Sequence, residues 1–362
     1  MDLADRVGSI ARTACDLDVA RRRLDVLLRA EIGYDIGSFS TVDPATGLWT
    51  SCYVSGLAQE GSRERERALF DCEFGGDVNT FTDLMRPGGG PVATLRRATA
   101  GDLTRAGRWA PLLADLDVVD ELRAVLVTDG AWWGTLALYR TGGVAPFTPR
   151  DVRRMADAAP AVGMLFRLML LRVALAQPHA LETPPGAFTV ESDGSVHSLS
   201  AAARAWLDAL DDRGRIPAIV QSVAAAARAC GLAVAAAPSR LGGIVTLHGS
   251  SLDDHDGAVA VIIEAARPAV VSNVIADAHA LTIREREVTS LAALGKSTRE
   301  MARDLHISPF TVADHLKSVF TKVGVSSRAE LVAALYHQHY DRQNARDATP
   351  SPYSWYLDHN YA

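Results

Sequence analysis

The stretch "LAALGKSTRE" (291–300) contains Gly-Lys-Ser-Thr, the four residues that close a phosphate-binding loop. In such a loop backbone N–H groups cradle the phosphates, the lysine reaches them and the hydroxyl binds a metal. That chemistry needs another glycine five residues before the second, and a strand leading into the turn. Ser290 stands where the glycine should be, and Leu281, Val288, Leu291 and Leu294 recur upstream at helical spacing. A helix enters this turn, so Gly295 reads as its left-handed terminator rather than as a phosphate cradle. Other reactive constellations are missing as well. The sequence holds no GxSxG and no HExxH, and the "GSS" at 249–251 lacks the setting a nucleophile needs. Cys15, Cys52, Cys72 and Cys230 are scattered, without the spacing of a zinc site or a disulfide framework. All ten histidines lie at or beyond His179, and His197, His248 and His255 are spread without ligand spacing. No catalytic residue, metal or cofactor is expected.

The elements that hold these residues fall into three blocks. With 362 residues, 48% of them hydrophobic and 22% charged, the chain is globular and long enough for two or three domains. Its net charge of −6 argues against a uniformly basic coat for nucleic acid, but the charge is uneven. Residues 281–340 carry eight Lys and Arg against six Asp and Glu, a net of +2 that leaves −8 elsewhere. The first 17 residues lack the apolar core of a signal peptide. The most apolar run, "GMLFRLMLLRVALA" (163–176), is short for a bilayer and contains Arg167 and Arg172. A cytoplasmic protein without membrane contact is expected. "AQPHALETPPGA" (176–187) reads as a linker, and 269–280 as a second connecting segment. The tail 341–362 has no clear period, although Tyr353, Trp355 and Tyr356 are able to dock on the body.

The last block is dense in helix punctuation. Thr282 with Glu285, Ser297 with Glu300 and Ser327 with Glu330 spell three capping boxes, and Ser308 caps a helix with Pro309 at its first position. Gly295 and Gly324 stop two of these four helices. The second and third are joined only by "HIS" (306–308), the connection of a helix-turn-helix. On the third helix Val312, Leu316, Val319, Phe320 and Val323 form an apolar stripe; Phe310, Ala313, Asp314, Lys317, Ser318 and Thr321 face the other way. Such a face suits a major groove, and equally the solvated side of a small bundle.

"LTIREREVTSLAALGKSTREMARDLHISPFTVADHLKSVFTKVGVSSRAEL" resembles the LuxR-type helix-turn-helix family nearly end to end. The shared features are the LTxREREV opening, GxS before the second helix, LxIS-x-x-TVxxHL in the third and a KxGVxSRxEL close. The resemblance implies an all-α four-helix domain of a dimeric transcription regulator that binds double-stranded DNA, with RNA polymerase as a further partner. It places Ala313, Asp314 and Lys317 at base-facing positions. Thr311, Lys322, Ser308 and Arg328 fall where residues touch phosphate or hold the turn, and Lys296 and Arg299 are placed to reach the backbone. Met301 and Val323 replace the usual isoleucine and leucine, swaps a core tolerates. Ala313 and Asp314 depart from the long polar residues common there, although a carboxylate can accept from a cytosine amino group.

In the first block, 37–56 reads as two strands about Asp43–Gly47, and 123–140 as two more turning at Asp129-Gly130. A long helix then opens at Thr148-Pro149. Helices, hairpins and "WGTLALYR…FTPRD" resemble a GAF domain over roughly 20–175, an α+β fold that binds small ligands or only dimerises. Trp49, Tyr53, Phe74, Phe81, Trp109, Trp132 and Trp133 are candidates for either pocket or core. The 163–176 run is apolar on two faces: Leu165, Phe166, Met169, Leu170 and Val173 on one, Met164, Leu168 and Leu171 on another. It calls for burial on both, against its own sheet and against a second copy or the middle block. That middle block, 188–268, is a smaller α+β segment whose start resembles a PAS domain. The whole is expected to be a multidomain regulator: GAF-like sensor (1–176), linker (177–187), PAS-like coupler (188–268) and LuxR-type head (281–340), acting as a homodimer. The first two blocks either sense an unidentified small ligand or partner, or serve only dimerisation or protein binding.

Overall fold

The computed structural model describes residues 2–57, 63–175, 183–210, 215–240, 243–252, 257–335, 349–350 and 356–357. It divides into two compact units, Met1–Ala266 and Arg267–Ala362.

In the first unit, α1 (Leu3–Thr13) and α2 (Leu17–Ile32) precede β1 (Ile36–Val42) and β2 (Trp49–Ser55). Then come α3 (Arg63–Gly75), α4 (Phe81–Met85), β3 (Val92–Thr94) and α5 (Leu95–Ala98). Three short helical turns between 103 and 116 lead to β4 (Val118–Thr128), β5 (Ala131–Thr141) and the long α6 (Pro149–Leu175). The chain continues with β6 (Gly186–Val190), β7 (Val196–His197), α7 (Ala201–Ala209), α8 (Ala218–Cys230), β8 (Leu232–Pro238), β9 (Ile244–Ser251) and β10 (Val259–Ala265).

Local chemistry sets the hairpins. The Asp43 carboxylate accepts from Ala45 N at 3.0 Å, and its carbonyl accepts from Gly47 N at 2.7 Å, turning β1 into β2. Asp129 and Gly130 both take positive φ (50° and 79°), as a two-residue hairpin turn requires. Two antiparallel five-stranded sheets result, ordered β2-β1-β5-β4-β3 and β7-β6-β10-β9-β8. Counted within each sheet the order is the same, although the sequence shows no internal repeat.

The first sheet carries α6 and α2 on one face; there the Arg21 guanidinium lies over the Phe166 ring. Leu165, Phe166 and Met169 of α6 are buried, whereas Met164, Leu168 and Leu171 stay part-exposed. On its other face Val42, Trp49, Val125 and Ala137 pack with Phe70, Phe81 and Leu84, and with Ala218 and Ala225 from α8. Trp49 and Phe81 are therefore core residues. The opposite side of α8, through Ile219, Val220, Val223 and Ala227, fills the core under the second sheet with Phe188, Trp206 and Val261. A helix apolar all round must be buried on two sides. Here its small residues let the first sheet approach, and Ser222 Oγ accepts from Trp49 N at 2.9 Å. No helix among the described residues is long and apolar enough to cross a membrane.

The second unit comprises α9 (Pro268–Ala278), α10 (Ile283–Ala293), α11 (Thr298–Asp304), α12 (Pro309–Val323) and α13 (Arg328–Leu335). Residues 269–280, read from sequence as connecting segment, are largely helical. Pro268 opens α9 at its first position, and Val274 and Ile275 are buried. Packing overrides the low helix propensity of this β-branched sequence. Tyr353 and Trp355 lie outside the described residues; Thr349–Pro350 (β11) pairs antiparallel with Tyr356–Leu357 (β12).

Candidate nucleic-acid interface

Helices α10 to α13 begin where their caps dictate. Thr282 Oγ1 accepts from Glu285 N (3.3 Å) while the Glu285 carboxylate accepts from Thr282 N (2.7 Å). Ser297 and Glu300 repeat the exchange at 3.3 and 2.7 Å. Ser308 Oγ accepts from Thr311 N at 3.0 Å and fixes the start of α12. The third box is shifted: Ser327 Oγ accepts from Glu330 N, but the Glu330 carboxylate turns back to Ser326 N at 2.7 Å.

The stops are equally specific. At the end of α10, Lys296 N donates to Leu291 O and Gly295 N to Ala292 O, with Gly295 at φ 75°. This paired closure is the one a left-handed glycine allows. It also makes Gly-Lys-Ser-Thr the stop of one helix and the cap of the next. The turn between α11 and α12 uses the same geometry without glycine: His306 takes φ 54°, and Ile307 N donates to Ala302 O at 3.0 Å.

Val288, Ala292, Met301, Ala302, Val312 and Leu316 form the core that locks α10, α11 and α12 together. The outward side of α12 is a stripe of Phe310, Ala313, Asp314 and Lys317, all exposed. Thr311 is half-buried beside it, its hydroxyl 2.8 Å from that of Ser308. Arg299 is exposed at the start of α11.

Three other candidate residues are used within the fold. The Lys322 ammonium donates to Glu285 Oε2 (2.7 Å) and to Ala280 O (3.0 Å). Arg328 donates to the carbonyl of Lys296 and lies 3.3 Å from Met301 Sδ, which ties α13 to the turn before α11. Lys296 pairs with Asp304 at 2.5 Å. Ser318, expected on the outward face, instead turns to Glu285 Oε1 at 2.7 Å. Sequence reasoning found Glu285 as a capping acid but missed it as the hub joining α10 to α12. A carboxylate has two oxygens and about four lone-pair sites, so a cap alone leaves acceptor capacity open, and that was the available signal.

Two capped helices joined by the four residues 305–308, the second offering an exposed stripe, define a helix-turn-helix domain. The profile of bacterial regulatory proteins of the luxR family matches residues 279–335. The spore germination protein GerE of Bacillus subtilis is 44% identical over 55 residues, which are 15% of this chain and 74% of that protein. An uncharacterized transcriptional regulatory protein of the same organism, YvfU, is 31% identical over 87 residues, 23% of this chain and 44% of YvfU. The probable transcriptional regulatory protein NarL of Mycobacterium tuberculosis is 41% identical over 61 residues, 17% of this chain and 28% of NarL. The chain thus spans less than half the length of YvfU and NarL. It belongs to the luxR family of bacterial regulatory proteins, and its C-terminal unit is a LuxR-type helix-turn-helix domain.

Proposed function

We propose that the chain is a sequence-specific, DNA-binding transcription regulator, acting in the cytoplasm as a homodimer on double-stranded DNA and through it on RNA polymerase. The observation that carries this is the exposed Ala313–Asp314–Lys317 stripe on a helix whose start, stop and packing are all fixed by the fold. Ala313, Asp314 and Lys317 read base edges; Arg299 meets phosphate; Ser308 and Thr311 set the helix start against the backbone; Lys322, Arg328 and Lys296 hold the turns. In this reading residues 1–176 and 188–268 are GAF-like and PAS-like modules. Two α+β layers of one strand order support that assignment. The part-exposed Met164, Leu168 and Leu171 of α6 supply a face for a second copy. A small ligand or partner protein then biases the arrangement that presents two recognition helices.

A second reading, in which the first two blocks serve only dimerisation or protein binding, is favoured by one feature. Trp49, Phe70 and Phe81 stack edge-on at 5.0 and 5.9 Å on the face of the first sheet that α8 also covers. The test is selection from a genomic fragment library by the full chain and by residues 267–362. Selection only by the fragment supports a sensor that blocks the head; equal selection by both supports the dimerisation role. No selection by either overturns the DNA-binding reading.

A further inference from the structure

Phe310 is the second residue of α12 and is 75% exposed. The core of this unit takes Phe320 and Ile307 at its margin but not Phe310. The ring therefore adds little to the packing of its own domain. Its place along the helix is informative: residues 310, 313, 314 and 317 are spaced i, i+3, i+4 and i+7, one continuous stripe, and the other three are exposed as well. Half of that stripe is apolar and half is charged.

In the major groove thymine alone presents an apolar group, its C5 methyl. Phenylalanine and alanine side chains complement that methyl, as a lysine complements guanine O6 and N7 and a carboxylate complements the cytosine amino group. Seven residues of helix rise about 10 Å, close to three base-pair steps. The stripe thus spans about four consecutive pairs, apolar at its N-terminal end and charged toward Lys317.

We infer that Phe310, with Ala313 one turn along, is a specificity-determining residue that packs on a thymine methyl. Each half-site then carries a thymine under the start of α12 and a G·C pair toward Lys317. This rests on the DNA-binding reading above and deepens it by naming a base the operator must contain.

The test begins with the duplex that the full chain selects. Each thymine in it is replaced singly by deoxyuridine, which removes one methyl and leaves every hydrogen-bonding group in place. One position per half-site is expected where the replacement weakens the unaltered protein about fourfold, the worth of one buried methyl-sized group. Phe310→Ala is expected to bind the intact duplex more weakly and to be indifferent to deoxyuridine at that position. Phe310→Leu, which keeps an apolar side chain and guards against a loss of folding in the alanine variant, is expected to retain sensitivity there. Equal deoxyuridine profiles for the unaltered protein and Phe310→Ala would overturn the assignment while leaving DNA binding intact. Failure of both the full chain and residues 267–362 to select any duplex would instead overturn the reading on which it rests.

Discussion

The ammonium of Lys322 lies 2.7 Å from Oε2 of Glu285 and clamps the last turn of α12 to the first turn of α10. Glu285 is buried, which by itself pushes its carboxyl upward. Hydrogen bonds from Lys322, Ser318 and Thr282 outweigh that push and hold it down to about 2. A carboxyl whose folded value is depressed stabilises the fold fully above its unfolded value, 4.5, and loses that contribution as the pH falls toward about 2. Lys322→Met removes the cation and leaves the carboxylate short of a partner. The expected loss is about 1.5–3 kcal/mol, the range for a hydrogen bond to a charged group. Hydrogen exchange of the α12 amides across this pH window checks it. The variant should begin to open at higher pH than the unaltered chain, and an unchanged onset would show that the clamp is idle.

Gly295 and Gly324 take φ 75° and 78°, and a Cβ added at either would meet nothing within 4 Å. Replacement by alanine therefore tests backbone strain alone, with an expected cost of about 1–2 kcal/mol at each site. His306 offers the reverse experiment, being exposed at φ 54° without the excuse of glycine. His306→Gly relieves similar strain but restores about 0.5–1 kcal/mol of chain freedom to the unfolded state. The net is a small stabilisation, opposite in sign to the two alanine changes. Denaturant unfolding of residues 267–362 measures all three, and a shared sign would defeat the account.

What the sequence made legible was whatever is decided within four residues. Caps at Thr282, Ser297, Ser308 and Ser327, stops at Gly295 and Gly324, and turns at Asp43–Gly47 and Asp129-Gly130 all fall where local patterning puts them. The outward positions Ala313, Asp314 and Lys317 follow from the same 3.6-residue period. Ser318 did not, because a serine is neutral to apolar patterning and its hydroxyl is claimed by Glu285, 33 residues earlier. Nor did the double duty of α8. Its alanine-rich run reads as a helix, yet nothing local says that Ala218, Ser222 and Ala225 face the first sheet, whose β2 lies more than 160 residues upstream. The hub formed by Glu285 and the helical state of α9 belong to the same class, settled by packing at a distance.

The first unit holds a buried chain of charges that no periodicity announces. Glu121 accepts from Arg108 Nη2 (2.7 Å) and Arg123 Nε (2.8 Å), while Arg108 also pairs with Asp77 and Arg123 with Glu73, each at 2.7 Å. Burial pushes the Glu121 carboxyl up, and the two guanidinium groups bring it below the usual range. Together these pairs fasten α3 and the residues before α4 to β4. Glu121→Gln keeps the shape but leaves both arginines buried beside a neutral amide. Breaking a buried pair in this way is worth about 3–5 kcal/mol. Denaturant unfolding followed by the fluorescence of Trp49 and Trp133, both buried in this unit, reads the loss. A change below about 1 kcal/mol, the scale of an exposed pair, would mean that water reaches the network.

Lys317 and Arg299 separate base reading from charge neutralisation. Both are exposed, the first on the outward stripe of α12 and the second at the start of α11. Lys317→Gln is expected to cost about 1–3 kcal/mol on the preferred duplex and far less on random DNA, as loss of a guanine contact does. Arg299→Gln should weaken both duplexes alike and lower the slope of log affinity against log salt by about one. Lys296, held 2.5 Å from Asp304, sits near Arg299 in sequence and serves as the control. Because its ammonium already has a partner, Lys296→Gln should leave the salt slope closer to that of the unaltered chain than Arg299→Gln does. Titrations of the three variants at several salt concentrations decide the matter. Loss of the same slope in all three would mean that the Lys296–Asp304 pair opens on DNA, and equal losses of Lys317→Gln on both duplexes would remove it from the bases.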